Sequence, residues 1–181
     1  MKADKSKMAY ACKQEGRNSN AWFTPSKYIE SARAVLGNID LDPFSDDHAN
    51  LVVKAGKYYT VEDNAFRKPW KCGTLWMNPP YSGAECKAAV FKFLAEWNLE
   101  HFESGIFLVN NATETQWFQQ VLKSCDAVCF TNHRISFWNA DGKEISGNTR
   151  GQAFFYFGDE PHTFAGEFVK HGVVILGSAI I

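Results

Sequence analysis

The chain has 181 residues, 45% of them hydrophobic, with 15 Phe and 6 Trp among them. This is an ordinary globular composition, and the length suits a single domain with a sizeable core. A formal net charge of −1 excludes a global positive field, so any contact with a polyanion must rest on local cations.

The five cysteines, Cys12, Cys72, Cys86, Cys125 and Cys129, are odd in number and form no CxxC pair. That usage is expected of reduced thiols in a cytoplasm. Cys125 and Cys129 lack a nearby His at zinc spacing, so no metal site is expected. No apolar run follows the start to make a signal peptide. The C-terminal GVVILGSAII is too short and too interrupted to span a bilayer, so no membrane is expected either. Residues 1–20 are locally basic, with Lys2, Lys5, Lys7, Lys13 and Arg17 against Asp4 and Glu15, and read as a solvated, partly disordered segment. Residues 21–181 are read as the compact domain, without repeats or a low-complexity linker.

In chain order, Trp22-Phe23-Thr24-Pro25 comes first. Thr24 suits an N-cap and Pro25 a first helical residue. Ile29, Ala32, Val35 and Leu36 make an apolar face, and Gly37 a stop, so a helix is expected over about Pro25–Leu36. Its N-terminus either holds a carboxylate or is an ordinary capped end. Asn38–Asp42 reads as a short alternating strand that runs into Pro43-Phe44-Ser45-Asp46-Asp47. An acid at a strand end in an open α/β sheet points into the ligand crevice, the alternative being a solvated turn. Residues 43–57 read as irregular. Lys57–Val61 has strand composition and ends in Glu62-Asp63-Asn64-Ala65-Phe66. Gly73–Met77 is a buried strand running into Asn78-Pro79-Pro80-Tyr81-Ser82.

Ala84 to about Trp97 reads as a helix with Ala89, Val90, Phe93, Leu94 and Trp97 on one face. Gly105–Val109 is a buried strand, Thr113 with Gln116 fits a capping box for a helix to about Lys123, and Ala127–Phe130 is a further strand. The alternation predicts a doubly wound α/β sheet. Arg134–Trp138 and Gln152–Phe157 then read as an antiparallel hairpin with a polar tip over 139–151. Thr163–Lys170 reads as a short helix, and Val173–Leu176 as a last strand.

Three polar clusters at three strand ends describe one crevice, and the third carries the chemistry. Pro79 and Pro80 fix two φ angles, lack N–H donors, and push the residues before them toward extended geometry. The result is a rigid shelf on which the Asn78 side-chain oxygen, the Pro79 carbonyl and the Tyr81 ring converge on one small planar group. An exocyclic purine amine is a poor nucleophile because its lone pair is delocalised into the ring. Two acceptors aimed at its hydrogens free that lone pair, an aromatic face stacks on the base, and transfer becomes a matter of orientation and electrostatics. The plain alternative is a Pro-Pro turn leaving a sheet.

The ordered set WFTP, IDLDPFSDDHAN, YYTVEDNAF with Trp70, LWMNPPYS, NHRISF and RGQAFFYFG, over roughly residues 20–176, resembles the phage-type, Dam-like DNA N6-adenine methyltransferases. The resemblance implies a single-domain Rossmann-like α/β fold with a mixed sheet and a C-terminal antiparallel hairpin, S-adenosylmethionine as cofactor and double-stranded DNA as partner. It also implies a phage or prophage origin and a place of action in the bacterial cytoplasm. Asn78, Pro79, Pro80 and Tyr81 match the catalytic motif. Thr24 and Pro25 match an element near the methionine end of the cofactor. Asp42, Pro43 and Phe44 match the acid of the first cofactor strand and its neighbours, and Asp63 a position that contacts the cofactor adenine. Asn78 is expected to touch both cofactor and target.

The sequence departs from larger methyltransferases, which carry a Gly-rich loop after the first strand; here DPFSDDHAN has no glycine. A separate strand ending in an acid for the ribose is missing, unless 43–57 supplies it. With no separate recognition domain, DNA reading falls to loops. Lys143, Asn148 and Arg150 of the hairpin tip, with Arg134 at its approach, suit phosphate and base edges, against a plain solvated turn. A duplex base is out of reach in the stack and must be flipped onto Tyr81. The alternatives are an acceptor in RNA, a protein glutamine amide, and a catalytically idle module that binds cofactor or DNA.

Overall fold

The computed structural model describes residues 23–138 and 149–177. Seven strands form one mixed sheet in the order β2-β1-β3-β4-β6-β5-β7. They are β1 (Leu41–Asp42), β2 (Lys57–Tyr58), β3 (Thr74–Met77), β4 (Ser104–Asn110), β5 (Ala127–Thr131), β6 (Gln152–Phe157) and β7 (Gly172–Leu176). Strands β2, β1, β3 and β4 run parallel, with Leu41 opposite Leu75 and Met77 opposite Phe107. Strand β6 lies antiparallel between β4 and β5, and β7 is antiparallel to β5 at the edge. The helices are α1 (Ser26–Leu36), α2 (Asp47–Val53), α3 (Gly83–Asn98), α4 (Gln116–Ser124) and α5 (Pro161–Phe168).

Strand alternation sorts the core onto two faces. Leu75, Met77, Phe107, Val109, Phe155 and Phe157 pack with Phe93 of α3 and Phe118 of α4. Trp76, Ile106, Leu108, Phe154 and Tyr156 pack with Tyr28 and Ile29 of α1 and Phe164 and Phe168 of α5. The sheet is therefore sandwiched between two helical layers. Each fully buried Phe or Leu contributes about 1.5–3 kcal/mol of transfer free energy. At Gly105 an added Cβ would lie 2.9 Å from the Phe93 ring, so only glycine lets α3 seat this closely on β4.

Several local expectations shift. Helix α1 starts at Ser26, with Pro25 rather than Thr24 in the cap position and no side-chain cap. Phe23 is tied in an antiparallel bridge to Trp138, at 2.8 and 3.1 Å, which holds the entering chain extended. Residues 43–57 are not irregular throughout, because α2 lies among them. The Asp46 carboxylate accepts from the His48 and Ala49 amides, both at 2.8 Å, and starts this helix. Thr115, not Thr113, caps α4, its hydroxyl accepting from the Phe118 amide at 3.4 Å. Strands β1 and β2 are shorter than expected, although paired amides extend beyond them, as from Gly56 to Ile39 and from Tyr59 to Asp42.

The C-terminal antiparallel pairing is present with a different partner. Residues 152–157 pair with β5 and β4, while Arg134–Phe137 form no strand. The Gln152 side chain binds the Ile135 amide at 2.9 Å, so that segment crosses the strand ends instead of joining the sheet.

The chain leaves β1 for β2 on one side and returns to β3 on the other. Strand order reverses at this point, where open α/β sheets bind ligands beyond their C-terminal ends.

Candidate active site

The site starts from an acid that takes no part in it. The Asp40 carboxylate accepts from the Gly73 and Thr74 amides, both at 2.9 Å, and locks the base of β1 to β3. Two residues on, Asp42 ends β1 and is only 2% exposed. Burial pushes its carboxyl up to about 7, against the Phe44 amide at 3.1 Å and the Ser45 side chain, while Asp46 adds repulsion. A buried carboxylate so poorly compensated favours a cationic partner.

Asn78, Pro79, Pro80 and Tyr81 follow β3 directly. The Asn78 Oδ1 and the Tyr81 hydroxyl are buried. Burial first, and then nearby Cys86, push the Tyr81 phenol well above its ordinary 10, so it stays protonated at neutral pH. Its ring meets Phe137 edge-on at 5.8 Å. Ser82 caps α3 and its hydroxyl donates to Glu85, ending the Pro-Pro shelf in a helix start.

A cavity of about 450 Å³ joins these ends, within the ~300–1,000 Å³ range of small-molecule sites. Thr24, Asp42, Pro43, Phe44, Asn78, Pro79, Pro80 and Tyr81 all line it. Pro25 stands one residue behind Thr24 at the head of α1. Asp63 is placed differently. Its carboxylate accepts from the Thr60 amide at 3.0 Å and hydroxyl at 3.2 Å and pairs with Lys68 at 3.6 Å. The Thr60 amide first, and then Lys68 among lesser causes, hold that carboxyl low. Asp63 thus shapes the turn that presents Asn64, Ala65 and Phe66 to the cavity.

Sequence reading missed part of the wall. Ala49, Val52 and Val53 come from α2, and Thr60, Val61 and Phe66 from the loop after β2. The Phe66 ring lies 5.3 Å from Phe44, which rests edge-on against Trp70 at 5.7 Å. Asp46 ahead of Ala49, Val52 and Val53 was a usable helix signal, but a seven-residue helix gives little periodicity.

Arg134 and Arg150 are exposed and lie where the chain flanks residues 139–148. The Arg150 carbonyl accepts from Gln152 Nε2 at 2.8 Å. Lys143 and Asn148 fall outside the described residues.

The sheet order, the switch-point cavity and the helices on both faces define an α/β methyltransferase fold. A Pyrococcus horikoshii protein, PH1948, proposed to be an RNA methyltransferase, superposes with a TM-score of 0.52 over 88% of this chain and 98% of its own, at 13% identity. The chain belongs to the DNA N-6-adenine-methyltransferase (Dam) family, whose sequence model matches residues 12–170. It is similar to the DNA N-6-adenine-methyltransferase of Haemophilus phage HP1, 28% identical over 77% of this chain and 79% of that protein. The corresponding protein of Escherichia phage T1 is 25% identical over 74% of this chain and 60% of its own length. Membership makes this chain an adenine-specific DNA methyltransferase. Among the described residues, no helix is long and apolar enough to cross a membrane.

Proposed function

We propose that the chain transfers a methyl group from S-adenosylmethionine to N6 of an adenine flipped out of double-stranded DNA onto Asn78–Tyr81. The observation that supports this best is the meeting of Asp42 and the Asn78-Pro79-Pro80-Tyr81 shelf in one cavity at the switch point.

The cavity fits the cofactor by the chemistry of its walls. Asp42 is a buried acid suited to a cation, Phe44 and Phe66 offer ring faces to a purine, and Thr24, with Pro25 behind it, closes the α1 side. When bound, S-adenosylmethionine supplies an electrophilic methyl group. The chain does the remaining work. Asn78 Oδ1 and the Pro79 carbonyl accept the two N6 hydrogens, and Tyr81 stacks on the base and fixes its plane. These contacts raise the amine's nucleophilicity and hold it in line, so that the N6–carbon bond would form as the cofactor's sulfur–methyl bond breaks, and N6 would give up its surplus proton to solvent. Asp63 acts on the cofactor adenine through the turn it closes. Contacts to the duplex are assigned to Arg134 and Arg150, together with Lys143 and Asn148 of the sequence between them. The reaction belongs in the bacterial cytoplasm where phage DNA is made.

The test is transfer of tritium from labelled S-adenosylmethionine to duplex DNA, RNA or protein, followed by modification-sensitive sequencing. N6-methyladenine in duplex DNA is expected. Label in RNA or on a glutamine amide would reassign the acceptor, and no label anywhere would leave an idle binding module.

A further inference from the structure

One buried polar side chain joins the ends of β4 and β6. Gln152 opens β6 and is fully buried, at 0% exposure. Its Oε1 accepts from the Ile135 amide at 2.9 Å, and its Nε2 donates to Asn110 Oδ1 at 3.2 Å and to the Arg150 carbonyl at 2.8 Å. Every hydrogen of the amide is used. The Thr131 hydroxyl accepts from the Gln152 backbone amide at 3.3 Å and donates to its carbonyl at 3.2 Å. Gly151 reinforces the joint. Its carbonyl accepts from the Asn111 amide at 2.8 Å, and a Cβ there would lie 2.9 Å from Asn111 Nδ2.

Three chain segments therefore meet on one amide. They are the C-terminal end of β4, the segment entering residues 139–148, and the segment leaving them. The entering segment touches the site at two points. Phe137, 1% exposed, sets its ring against Tyr81 at 5.8 Å. Trp138 exchanges two backbone hydrogen bonds with Phe23, the cavity-lining neighbour of Thr24. Residues 134–137 belong to no strand, so side-chain contacts such as Gln152 to Ile135 replace a ladder there.

We propose that Gln152 is a positioning residue for methyl transfer. It fixes the Ile135–Trp138 segment across the strand ends and so sets Phe137 behind Tyr81. This rests on the role given above to Asn78 and Tyr81. The Gln152 amide, buried with both donors taken, has one low-energy placement, since each bond it gave up would leave one of its own buried atoms unsatisfied. Without it the Ile135 amide, Asn110 Oδ1 and the Arg150 carbonyl lose a common anchor, and the Tyr81 ring loses its fixed backing.

The experiment uses the full chain, tritiated S-adenosylmethionine and unmethylated duplex DNA. Gln152→Met keeps the side-chain volume and removes all three bonds. It is expected to lower kcat about tenfold to a hundredfold, the scale of a small misplacement, with cofactor Kd by calorimetry within about threefold. Combined with Phe137→Leu, the loss should not exceed the larger single loss by more than about twofold, because both act through one contact. A kcat within twofold of the parent, single effects that multiply, or a Kd that rises as much as kcat falls would overturn the role. Should Gln152→Met fail to fold, Gln152→Glu keeps the acceptor for Ile135 and turns one oxygen toward two acceptors. Its activity relative to the parent should recover as pH falls, since protonation restores one donor; a flat ratio overturns the proposal. Asn78→Ala serves as control. If it too retains activity, the reading of the site has failed; if it is inactive while Gln152→Met is normal, only the positioning role has.

Discussion

Asp42 ends β1, Asn78 directly follows the neighbouring parallel strand β3, and the two line one cavity from the two sides of the sheet's switch point. Asp40 fixes their spacing through two 2.9 Å bonds to the Gly73 and Thr74 amides. The division of labour between the two strand ends leads to opposite expectations. Asn78→Ala should leave cofactor affinity within about tenfold while lowering methyl transfer about 10²–10³-fold, the effect of removing one aimed polar group. Single-turnover transfer on a saturated duplex measures it, and near-parental turnover would remove Asn78 from the chemistry.

Asp42 should reveal itself through pH. Burial raises its carboxyl from 3.8 to about 7 in the folded chain. Between those values the folded chain holds a proton that the unfolded chain releases, so stability falls as pH rises through this window and levels off above it. Asp42→Asn should lack this decline, and its Tm advantage over the parent should grow from about pH 4 to pH 7. A cation beside Asp42 favours the ionised form, so S-adenosylmethionine binding should release protons near pH 6 and tighten toward pH 8. Calorimetry in buffers of different ionisation heat reads this directly. Equal proton release in Asp42→Asn would place the cationic group elsewhere.

How well each of these features could be read from the sequence depended on its range. The Asn78 shelf was legible because its residues are contiguous, and Asp42 because a strand composition ended in it. The α1 and α3 helices showed their apolar faces over three or more turns. Helix α2 is too short to show one, and only its Asp46 cap marks it. The partner of Gln152–Phe157 was misread because sequence adjacency favours a hairpin with 134–138. The register is instead set by Phe154 and Phe155 interleaving with Val128 and Cys129 of β5. The Gln152 joint was out of reach for a related reason, since Asn110, Ile135 and Arg150 come together only once β6 inserts beside β4. Asp63 was placed near the cofactor by its distance before Asn78, whereas its carboxylate closes a turn onto Thr60.

That turn carries a prediction of its own. Val61 is 92% exposed and Phe66 38%, although both line the cavity. Apolar groups at a cavity mouth gain burial only when a ligand covers them. Phe66→Ala should weaken cofactor binding about three- to tenfold, the worth of one aromatic contact, with kcat at saturating cofactor unchanged. Hydrogen exchange over residues 60–67 should slow when cofactor binds the parent chain. Unchanged affinity would mean that the purine stacks elsewhere.

The exposed cations test how duplex DNA is held. The net charge is −1, so affinity must come from a few placed cations, and the exposed Arg134 and Arg150 stand on either side of residues 139–148, with Lys143 between them in sequence. A phosphate contact leaves its mark in salt dependence. Removing one should weaken every sequence alike and reduce the slope of log K against log salt by about 0.9. A base contact instead costs about 1–3 kcal/mol at one position of the site and relaxes selectivity there. Arg150 stands beside the Gln152 joint, its carbonyl held at 2.8 Å, so its backbone is fixed and its side chain starts from a defined point. Arg150→Ala is therefore expected to change site preference, and Arg134→Ala only the salt slope. Filter binding on cognate and scrambled duplexes at several salt concentrations separates the two. Parental affinity, slope and selectivity in a variant carrying both Arg134→Ala and Arg150→Ala would move DNA binding to another surface of the chain.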